Sequence, residues 1–321
     1  MTRRPSKEKF IEDWNSCEFD KKVMAELYGV SLQTIYNWIG LYVDEVEGNM
    51  EDAELSYYDY VEMFKGVINK PMKREFIVSL KHGATIVPIS DVHLGSKFSN
   101  IPRLTEDLEI IAETPNVYAM FNGDLIDYAT NGPQDLLYDQ IFANPKFSRD
   151  WATKAISMIA HKMLAMVSGC HDDWYYKQTG EYLLESIAKT TITKIFSPDS
   201  LSLILKVGQQ EYAIEMTHKL RHNSSYNISH GIFRKAAREC NFDIGIVAHL
   251  HTPGVAVQNI RGTPVVAINC GGYKNLDTYA GKLGISPHEH WIPGFYVHAD
   301  KHLIVPFPDW RMALTYMRGL E

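Results

Sequence analysis

Hydrophobic residues in the first 43 positions of the chain recur three or four residues apart. Phe10 and Trp14 show this spacing, and Ile35 and Trp38 repeat it. It is the period of a helix with one apolar face. The sequence therefore predicts a small group of packed helices in this part of the chain.

From about Lys73 onward, short apolar runs rich in branched side chains alternate with amphipathic stretches. The runs have the length and composition of strands, and the stretches have the period of helices. Strands and helices alternate at first and strands crowd together later, which indicates an α/β domain with helices outside its sheets. The predicted strands are 75–80, 84–89, 117–121, 163–167, 203–207, 211–216, 243–247, 255–259, 264–269 and 302–306, and the predicted helices are 102–113, 149–161, 179–190 and 228–239.

An acidic stretch separates the two patterns. Six carboxylates lie between positions 44 and 54, which is typical of a solvated linker or of a helix end. We therefore predict three segments: an all-α domain at 1–48, an acidic linker at 49–72 and an α/β domain at 73–321.

Composition narrows the class of protein. Hydrophobic residues make up 45% of the chain and charged residues 22%, which excludes collagen, a coiled coil and a chain disordered throughout. The formal net charge of −7 disfavours a purely electrostatic nucleic-acid binder, because such a protein should be basic. The four cysteines are scattered, and no signal peptide or membrane span is visible, so we expect a cytoplasmic protein without a membrane partner.

Five of the predicted strands are followed directly by aspartate or histidine. Because strand ends hold short side chains rigidly around one point, we expect these residues to converge on a single site. In D-x-H and H-x-H, the two-residue period of a strand sends both side chains to the same side. The five blocks are Asp91-Val92-His93, Gly123-Asp124-Leu125-Ile126-Asp127, Gly169-Cys170-His171-Asp172, His218, and Ala248-His249-Leu250-His251.

This mixture of donors predicts a metal centre. Carboxylate, imidazole and thiol together suit a borderline divalent ion such as manganese, iron, zinc or nickel. The ligands are too many for one tetrahedral ion and suit a pair of ions with a bridging carboxylate; two ions ~3.5–4 Å apart stabilise both oxygens of an in-line displacement at phosphorus. The candidate ligands are Asp91, His93, Asp124, Cys170, His218, His249 and His251.

In their order, the five blocks resemble the calcineurin-like metallophosphoesterase superfamily. The family pattern is D-x-H, G-D-x-x-D, G-N-H-D/E, a lone His and G-H-x-H, and this chain follows it over 91–251. The resemblance implies a four-layer α/β/β/α sandwich and a metal-dependent phosphoester hydrolase. With its helical N-terminal segment, the arrangement looks like phosphoesterases of phages and prophages, some of them related to DNA-repair exonucleases, and this implies the cytoplasm of a bacterial or phage-infected cell.

The resemblance also implies metal-binding roles, with two manganese ions as the expected pair and zinc, iron or nickel as alternatives. A bridging role falls to Asp124, between a first and a second metal. The implied ligands of the first metal are Asp91, His93 and His251, and those of the second are Cys170, His218 and His249.

Two further residues take catalytic roles under the same resemblance. The implied reaction is in-line attack by a metal-activated hydroxide, with His171 protonating the leaving oxygen and stabilising phosphoryl charge. Asp127 would orient that histidine and stabilise its charge.

Two positions depart from the family pattern. Ala248 replaces a glycine, which is a minor steric change, whereas Cys170 replaces an asparagine. A thiol beside a divalent ion should ionise and bind it, which favours softer metals at the second site. The alternative is that Cys170 only packs and that the second site is weak.

The segment after His218 offers a substrate contact. Arg221, His222 and Asn223 follow a candidate metal ligand at short distance, so these side chains could reach a substrate phosphate. They could equally cap or close the loop.

Residues 20–39 resemble a helix-turn-helix motif. Asp20 can cap the first helix and Ser31 the second, and Gly29 permits the left-handed turn between them. Leu32 and four polar side chains then face outward. Among the polar four, amides can read adenine and hydroxyls can bind phosphate. The four are Gln33, Thr34, Tyr36 and Asn37.

The charge of this segment leaves its partner open. Residues 1–43 hold six basic and six acidic side chains, so a helical module that binds protein is the alternative to one that binds DNA.

Taken together, these features predict a phosphodiesterase, and first of all a DNA nuclease. One alternative is a small-nucleotide phosphodiesterase or a phosphoprotein phosphatase, which the net charge of −7 slightly favours. Another is a non-catalytic DNA-binding regulator whose metal site is degraded at Cys170.

Overall fold

The computed structural model describes residues 5–17, 20–42, 75–128, 134–141, 144–222, 224, 226–239, 241–282 and 291–320. The chain divides into two compact units, Met1–Met72 and Lys73–Glu321. The acidic stretch and the expected linker at 49–72 lie outside the described residues.

Three helices form the described part of the first unit: α1 (Lys7–Ser16), α2 (Lys21–Tyr28) and α3 (Leu32–Tyr42). The Asp20 side chain caps α2 by accepting hydrogen bonds from the backbone N–H groups of Lys22 and Val23, and Ser31 does the same for Thr34 in α3. Gly29 has a φ of 61°, a conformation that glycine adopts without steric cost. The chain therefore turns sharply between α2 and α3.

The core of the first unit follows the apolar spacing of the sequence. Its buried side chains are Phe10, Trp14, Met24, Ile35 and Trp38. Val23 and Leu27 on α2 also stand at helical spacing in the sequence, but their side chains are 46% and 58% exposed. The predicted helices are thus confirmed, with a narrower buried face on α2 than the sequence indicates.

The second unit contains two six-stranded sheets. The strands are β1 (Glu75–Leu80), β2 (Ala84–Ile89), β3 (Val117–Asn122), β4 (Met163–Val167), β5 (Phe196–Ser197), β6 (Ser200–Val207), β7 (Gln210–Thr217), β8 (Ile244–Val247), β9 (Gly254–Ile260), β10 (Thr263–Asn269), β11 (Gly294–Val297) and β12 (Ile304–Phe307). The strand order is β1-β6-β7-β8-β10-β9 in the first sheet and β12-β11-β2-β3-β4-β5 in the second.

Helices lie between and after these strands in the chain. They are α4 (Ile101–Glu113), α5 (Gln134–Tyr138), α6 (Pro145–Met158), α7 (Cys170–Thr179), α8 (Leu183–Ala188), α9 (His230–Glu239), α10 (Thr278–Lys282) and α11 (Met312–Arg318).

The two sheets pack face to face, and helices cover their outer faces. Strand β2 shows why: Ala84 and Ile86 lie in the apolar cluster between the sheets, while Val87 and Ile89 pack with α4, α6 and α8 on the other side. Both faces of this strand are buried, which explains its continuous apolar run. Helix α9 packs on the outer face of the first sheet through Ile232. The mixed α/β fold predicted from the sequence is confirmed.

Several elements differ from the prediction. The helix expected at 149–161 begins earlier, at Pro145, where Asn144 caps it, and ends at Met158. The helix expected at 179–190 is the shorter α8, and α7 precedes it. The short strands β5 and β11 and the helices α5, α7, α10 and α11 were not expected, because none carries a clear apolar period.

Within the described ranges, no helix combines the length and the apolar character needed to cross a membrane.

Candidate metal centre

The five Asp and His blocks follow strands β2, β3, β4, β7 and β8. Strands β2, β3 and β4 run parallel as neighbours in one sheet, and β7 and β8 run parallel in the other. The ends of parallel neighbours meet at one edge of a sheet. The topology therefore explains why side chains far apart in the sequence gather in one place.

The backbone at this edge is sharply turned. Asp91, His93, Asp124, His249 and His251 all have φ between 50° and 75°, which is uncommon for residues other than glycine. Such conformations cost about 1–3 kcal/mol each and persist where the surrounding structure enforces them, commonly at functional sites.

Asp91, His93 and His251 form a first cluster of potential ligands. The Nε2 atom of His251 lies 3.4 Å from Asp91 Oδ1 and 3.3 Å from His93 Nε2. Burial lowers the pKa of both histidines to about 4, so each ring is neutral near pH 7. Neutral imidazole is the form that binds a metal ion.

Cys170, His218 and His249 form a second cluster. Cys170 Sγ lies 3.6 Å from His249 Nδ1. Burial raises the pKa of the thiol, but its contacts with the rings of His218 and His249 together outweigh burial and lower the pKa to about 7. The thiolate, which is the metal-binding form of cysteine, is therefore accessible near neutral pH.

Asp124 lies between the two clusters. Its Oδ2 atom is 3.1 Å from His218 Nε2 and 3.8 Å from His93 Nε2. Its other oxygen, Oδ1, accepts a hydrogen bond from the His171 backbone N–H at 2.8 Å. The carboxylate is thus held with one oxygen facing a histidine of each cluster.

Hydrogen bonds outside the clusters set the orientation of two rings. His218 donates from Nδ1 to the Asn122 carbonyl oxygen at 2.8 Å, and His93 donates from Nδ1 to Asp127 Oδ1 at 2.9 Å. Each bond leaves the Nε2 lone pair of that ring turned toward Asp124. A ligand histidine commonly donates its other ring N–H in this way, which fixes its tautomer.

Two buried atoms of the clusters have no hydrogen-bond partner among the described residues: Asp91 Oδ1 and His218 Nε2. Buried polar atoms are nearly always paired, so each exception needs a physical reason. Burial lowers the pKa of His218, but without a cation the charges of Asp124 and Asp91 and the contacts with Asp124 and Cys170 together outweigh burial and hold that pKa well above its usual value. A divalent ion in each cluster would satisfy these two atoms, and the ion beside His218 would replace that proton. The residues present therefore fit a pair of metal ions.

His171 lies beside the clusters, at the start of α7. Its ring centroid is 4.5 Å from that of His93 and 4.2 Å from that of Trp174. Burial lowers its pKa, but the negative charges of Asp124 and Asp127 outweigh burial and raise it. The ring is therefore poised to carry a proton.

Asp127 contacts more groups than the sequence suggests. Its Oδ1 atom lies 3.2 Å from His171 Nδ1, outside hydrogen-bond geometry, while the bond with His93 is well formed. Lys274 Nζ lies 3.3 Å from the same oxygen, and Gln140 donates to Oδ2. Asp127 thus orients a potential metal ligand as well as facing His171.

Sequence reasoning missed three residues that support the centre. Asp172 accepts hydrogen bonds from the backbone N–H groups of Asp124, Leu125 and Gly169. Its place in the third block was a signal that could have identified it. Lys274 and Gln140 follow no motif, and no pattern in the sequence pointed to them.

Glycine is required where two of the blocks meet. A Cβ atom on Gly123 would lie 2.6 Å from His218 Nδ1 and 2.7 Å from the Gly169 backbone. Ala248, which stands where the family pattern has glycine, is buried in the cluster between the sheets.

The segment after His218 lies outside the centre. Arg221 and His222 are exposed, and among the described residues neither shares a hydrogen bond or ion pair with the seven candidate ligands. Asn223 lies outside the described residues.

The four candidate DNA contacts lie on α3. Gln33 and Asn37 are exposed and hydrogen-bond to each other at 3.1 Å. Thr34 and Tyr36 are half-buried; the hydroxyl of Thr34 bonds to that of Ser31, and Lys21 lies over the Tyr36 ring.

Comparison with solved structures found general similarity in fold. One similar structure is that of the calcineurin-like phosphoesterase YfkN from Bacillus subtilis. The two chains are 14% identical, the match covers 71% of this chain and 90% of YfkN, and the TM-score is 0.40. A predicted phosphoesterase from Streptococcus pneumoniae is 13% identical, the match covers 71% of this chain and 99% of the other, and the TM-score is 0.32. Vps29 from Entamoeba histolytica, complexed with zinc, gives 10% identity, 70% and 97% coverage, and a TM-score of 0.34.

Comparison of sequences gave no match, either to a family profile or to a curated protein. The side chains of this chain are therefore the basis for assigning its function.

Proposed function

We propose that this chain is a phosphodiesterase that uses two divalent metal ions, and that its substrate is DNA. The observation that carries this proposal is the pair of ligand clusters, one on each side of Asp124. A shared carboxylate between two three-ligand sets is the arrangement that two-metal hydrolysis of phosphoesters needs.

The proposed ligands are Asp91, His93 and His251 for one ion and Cys170, His218 and His249 for the other, with Asp124 shared. Ions held by these residues would supply Lewis-acid stabilisation of the phosphate and would allow a water nucleophile to ionise near neutral pH. We propose manganese as the ion pair; the thiol of Cys170 makes zinc the first alternative.

His171 is the proposed general acid. Its Nδ1 atom faces Asp127, so Nε2 is the atom available to a substrate. The carboxylates of Asp124 and Asp127 keep its pKa raised, which maintains the proton that Nε2 donates to the leaving oxygen.

Asp127 has two proposed positioning roles. It faces His171 and stabilises positive charge on that ring, and it accepts the Nδ1 proton of His93. Burial raises the pKa of Asp127, but His171, His93 and Lys274 outweigh burial and hold it well below the usual range. The group therefore stays ionised throughout the reaction.

The three N-terminal helices are the proposed DNA-reading module, a helix-turn-helix. Capping of α2 and α3, the left-handed turn at Gly29 and the exposure of Gln33 and Asn37 support this role. The balanced charge of the segment supports the alternative, a protein partner bound through the same face.

A substrate panel with Mn²⁺ tests the proposal. Single-stranded DNA, duplex DNA, RNA, cyclic nucleotides and a phosphopeptide would be compared, with Asp124→Asn as the matched inactive control. We expect hydrolysis of DNA that depends on Asp124. Turnover of cyclic nucleotides or of the phosphopeptide alone would favour the small-substrate or phosphatase alternative, and no turnover of any substrate would favour a non-catalytic regulator.

A further inference from the structure

One face of α9 carries a row of basic side chains. His230, Arg234 and Arg238 are spaced four residues apart, so they lie along one side of the helix, and all three are exposed. Among the described residues, none of them forms an ion pair. The acidic side chain of this helix, Glu239, pairs instead with Lys235.

Arg221 and His222 extend this row. Desolvation, and then the charges of Arg234, Arg221 and Arg238, lower the pKa of His222, so these groups share one electrostatic neighbourhood. In a chain of net charge −7, three arginines in one neighbourhood, Arg221, Arg234 and Arg238, have no ion pair among the described residues and no evident structural use. Like charges held together repel one another, and a bound polyanion would remove that repulsion.

The row borders the proposed metal centre. Arg221 comes three residues after the candidate ligand His218, and a side chain at Gly231 would lie 3.1 Å from Leu220 and 3.4 Å from the Arg221 carbonyl oxygen. This segment therefore packs directly on the first turn of α9. Farther along, Ile228 covers Gly254, three residues after His251, so the chain is also anchored beside the second histidine block.

An exposed aromatic ring stands beside the row. Tyr226 is 99% exposed and comes just before the turn in which His230 N–H bonds to the Asn227 carbonyl oxygen at the start of α9. Bases of single-stranded nucleic acids stack on such rings, which contributes ~1–3 kcal/mol per base. A basic row with an adjacent free aromatic ring is the combination used for that purpose.

We propose that Arg221, His222, Tyr226, Arg234 and Arg238 form a track that binds a nucleic-acid strand and leads it to the metal centre. From His230 to Arg238 the helix is about 12 Å long, over which one strand of a duplex places about three phosphates. The inference rests on the proposed function and deepens it. The substrate is a strand several nucleotides long, and the second unit itself binds this strand at phosphates other than the one that reacts.

The first test measures binding without hydrolysis. Binding of a labelled single-stranded oligonucleotide to the full chain, in a chelator and over a series of salt concentrations, would be compared with the variant Arg234→Gln/Arg238→Gln. Each lost phosphate contact removes ~0.7 from the slope of log K against log salt. We expect the double variant to lose about 1.4 from the slope and to bind ~10-fold more weakly at low salt.

The matched control is Lys154→Gln/Arg318→Gln. These exposed bases lie on α6 and α11, in the layer that packs on the other sheet, and the charge change is identical. The control should bind like the wild type. Equal weakening of both double variants, or of neither, would overturn the track.

The second test measures hydrolysis with Mn²⁺. The Arg234→Gln/Arg238→Gln variant should cleave a small chromogenic phosphodiester at the wild-type rate and lose ~10-fold in kcat/KM on the oligonucleotide. Equal loss on both substrates would contradict the track, as would no loss on the oligonucleotide. If the wild type cleaves neither substrate, the proposed function fails, while the binding test still decides the track by itself.

Discussion

His171 and Asp127 show how burial and charge act on single residues. Both side chains are buried, and burial disfavours the charged form of each. Their mutual contact and the neighbouring ionised groups nevertheless raise the pKa of His171 and lower the pKa of Asp127. His171 hydrogen-bonds to Asp124 through its backbone N–H, and its ring belongs to neither of the two proposed ligand sets. The ring can therefore be removed without removing a proposed ligand.

His171→Ala should therefore retain both metal ions and lose most of its turnover. A general acid contributes ~10²–10⁴-fold to rate. Elemental analysis and steady-state rates on the small diester, beside Asp124→Asn, check this. Loss of metal from His171→Ala equal to that from Asp124→Asn would show that the ring acts as a ligand.

The two clusters should release their ions at different pH. His93 and His251 have pKa values of about 4, so protons compete for the first cluster only below roughly pH 5. In the second cluster, His218 has a raised pKa and Cys170 a pKa of about 7, so protons already compete near neutrality. As the pH falls, the second ion should leave first.

Metal content measured from pH 8 down to pH 5 checks this order. We expect a fall from two ions to about one, followed by loss of the remaining ion at lower pH. Cys170→Asn replaces the thiol with an oxygen donor, so it should hold the second ion to lower pH and prefer manganese over zinc more strongly. Simultaneous loss of both ions, or no effect of Cys170→Asn, would show that Cys170 only packs.

At the scale of elements, the two strand-end segments that carry Asp124 and Cys170 are fixed to each other by Asp172. Its carboxylate accepts from three backbone N–H groups, with distances of 2.8, 2.8 and 3.3 Å. Burial and the charge of Asp124 raise its pKa to about 7, and the N–H groups of Gly169 and Asp124 oppose that rise. Together with the hydrogen bond from the His171 backbone N–H to Asp124, this side chain links the ends of β3 and β4.

Asp172→Ala should destabilise the metal-free protein by roughly 3 kcal/mol, because it leaves buried N–H groups unpaired. Asp173→Ala is the matched control: it lies next in the same helix and is half-buried, and its removal should cost less than about 1 kcal/mol. Chemical denaturation of both variants measures the difference. Equal stability of the two variants would show that Asp172 does not hold the two strand-end segments together.

The apolar pattern of the sequence predicts correctly those helices and strands that have one buried and one exposed face, or two buried faces. Strand β2 is buried at every position, and its apolar run was plain. Helix α7 was missed because Cys170–Thr179 is mostly polar and exposes much of its surface, so it has no apolar period. Strand β11 has four residues and begins at glycine, too short to show an alternation.

For the site, local patterns predicted which residues converge but not what holds them. Six of the seven candidate ligands form the two clusters, and Asp124 lies between them, because their blocks end parallel strands. Lys274 and Gln140 reach Asp127 from distant parts of the chain, and such contacts depend on tertiary packing that no short motif records.

At the scale of the whole molecule, the chain consists of two compact units with separate cores. All seven candidate ligands belong to the second unit, so catalysis and the proposed reading of DNA are assigned to different parts of the chain.

Deletion of residues 1–48 should therefore leave a folded, metal-binding enzyme with wild-type activity on a small chromogenic phosphodiester. Its affinity for long DNA should fall by about tenfold or more. Gln33→Ala/Asn37→Ala in the full chain should weaken DNA binding without changing activity on the small substrate. Unchanged DNA binding by the deletion variant would assign the helices to a protein partner.

Anomalous X-ray diffraction from crystals grown with Mn²⁺ tests the central claim most directly, because it locates each ion. Two peaks ~3.5–4 Å apart are expected. One should lie among Asp91, His93 and His251 and the other among Cys170, His218 and His249, with Asp124 touching both. A single peak, or two peaks that do not share Asp124, would contradict the two-metal account of this protein.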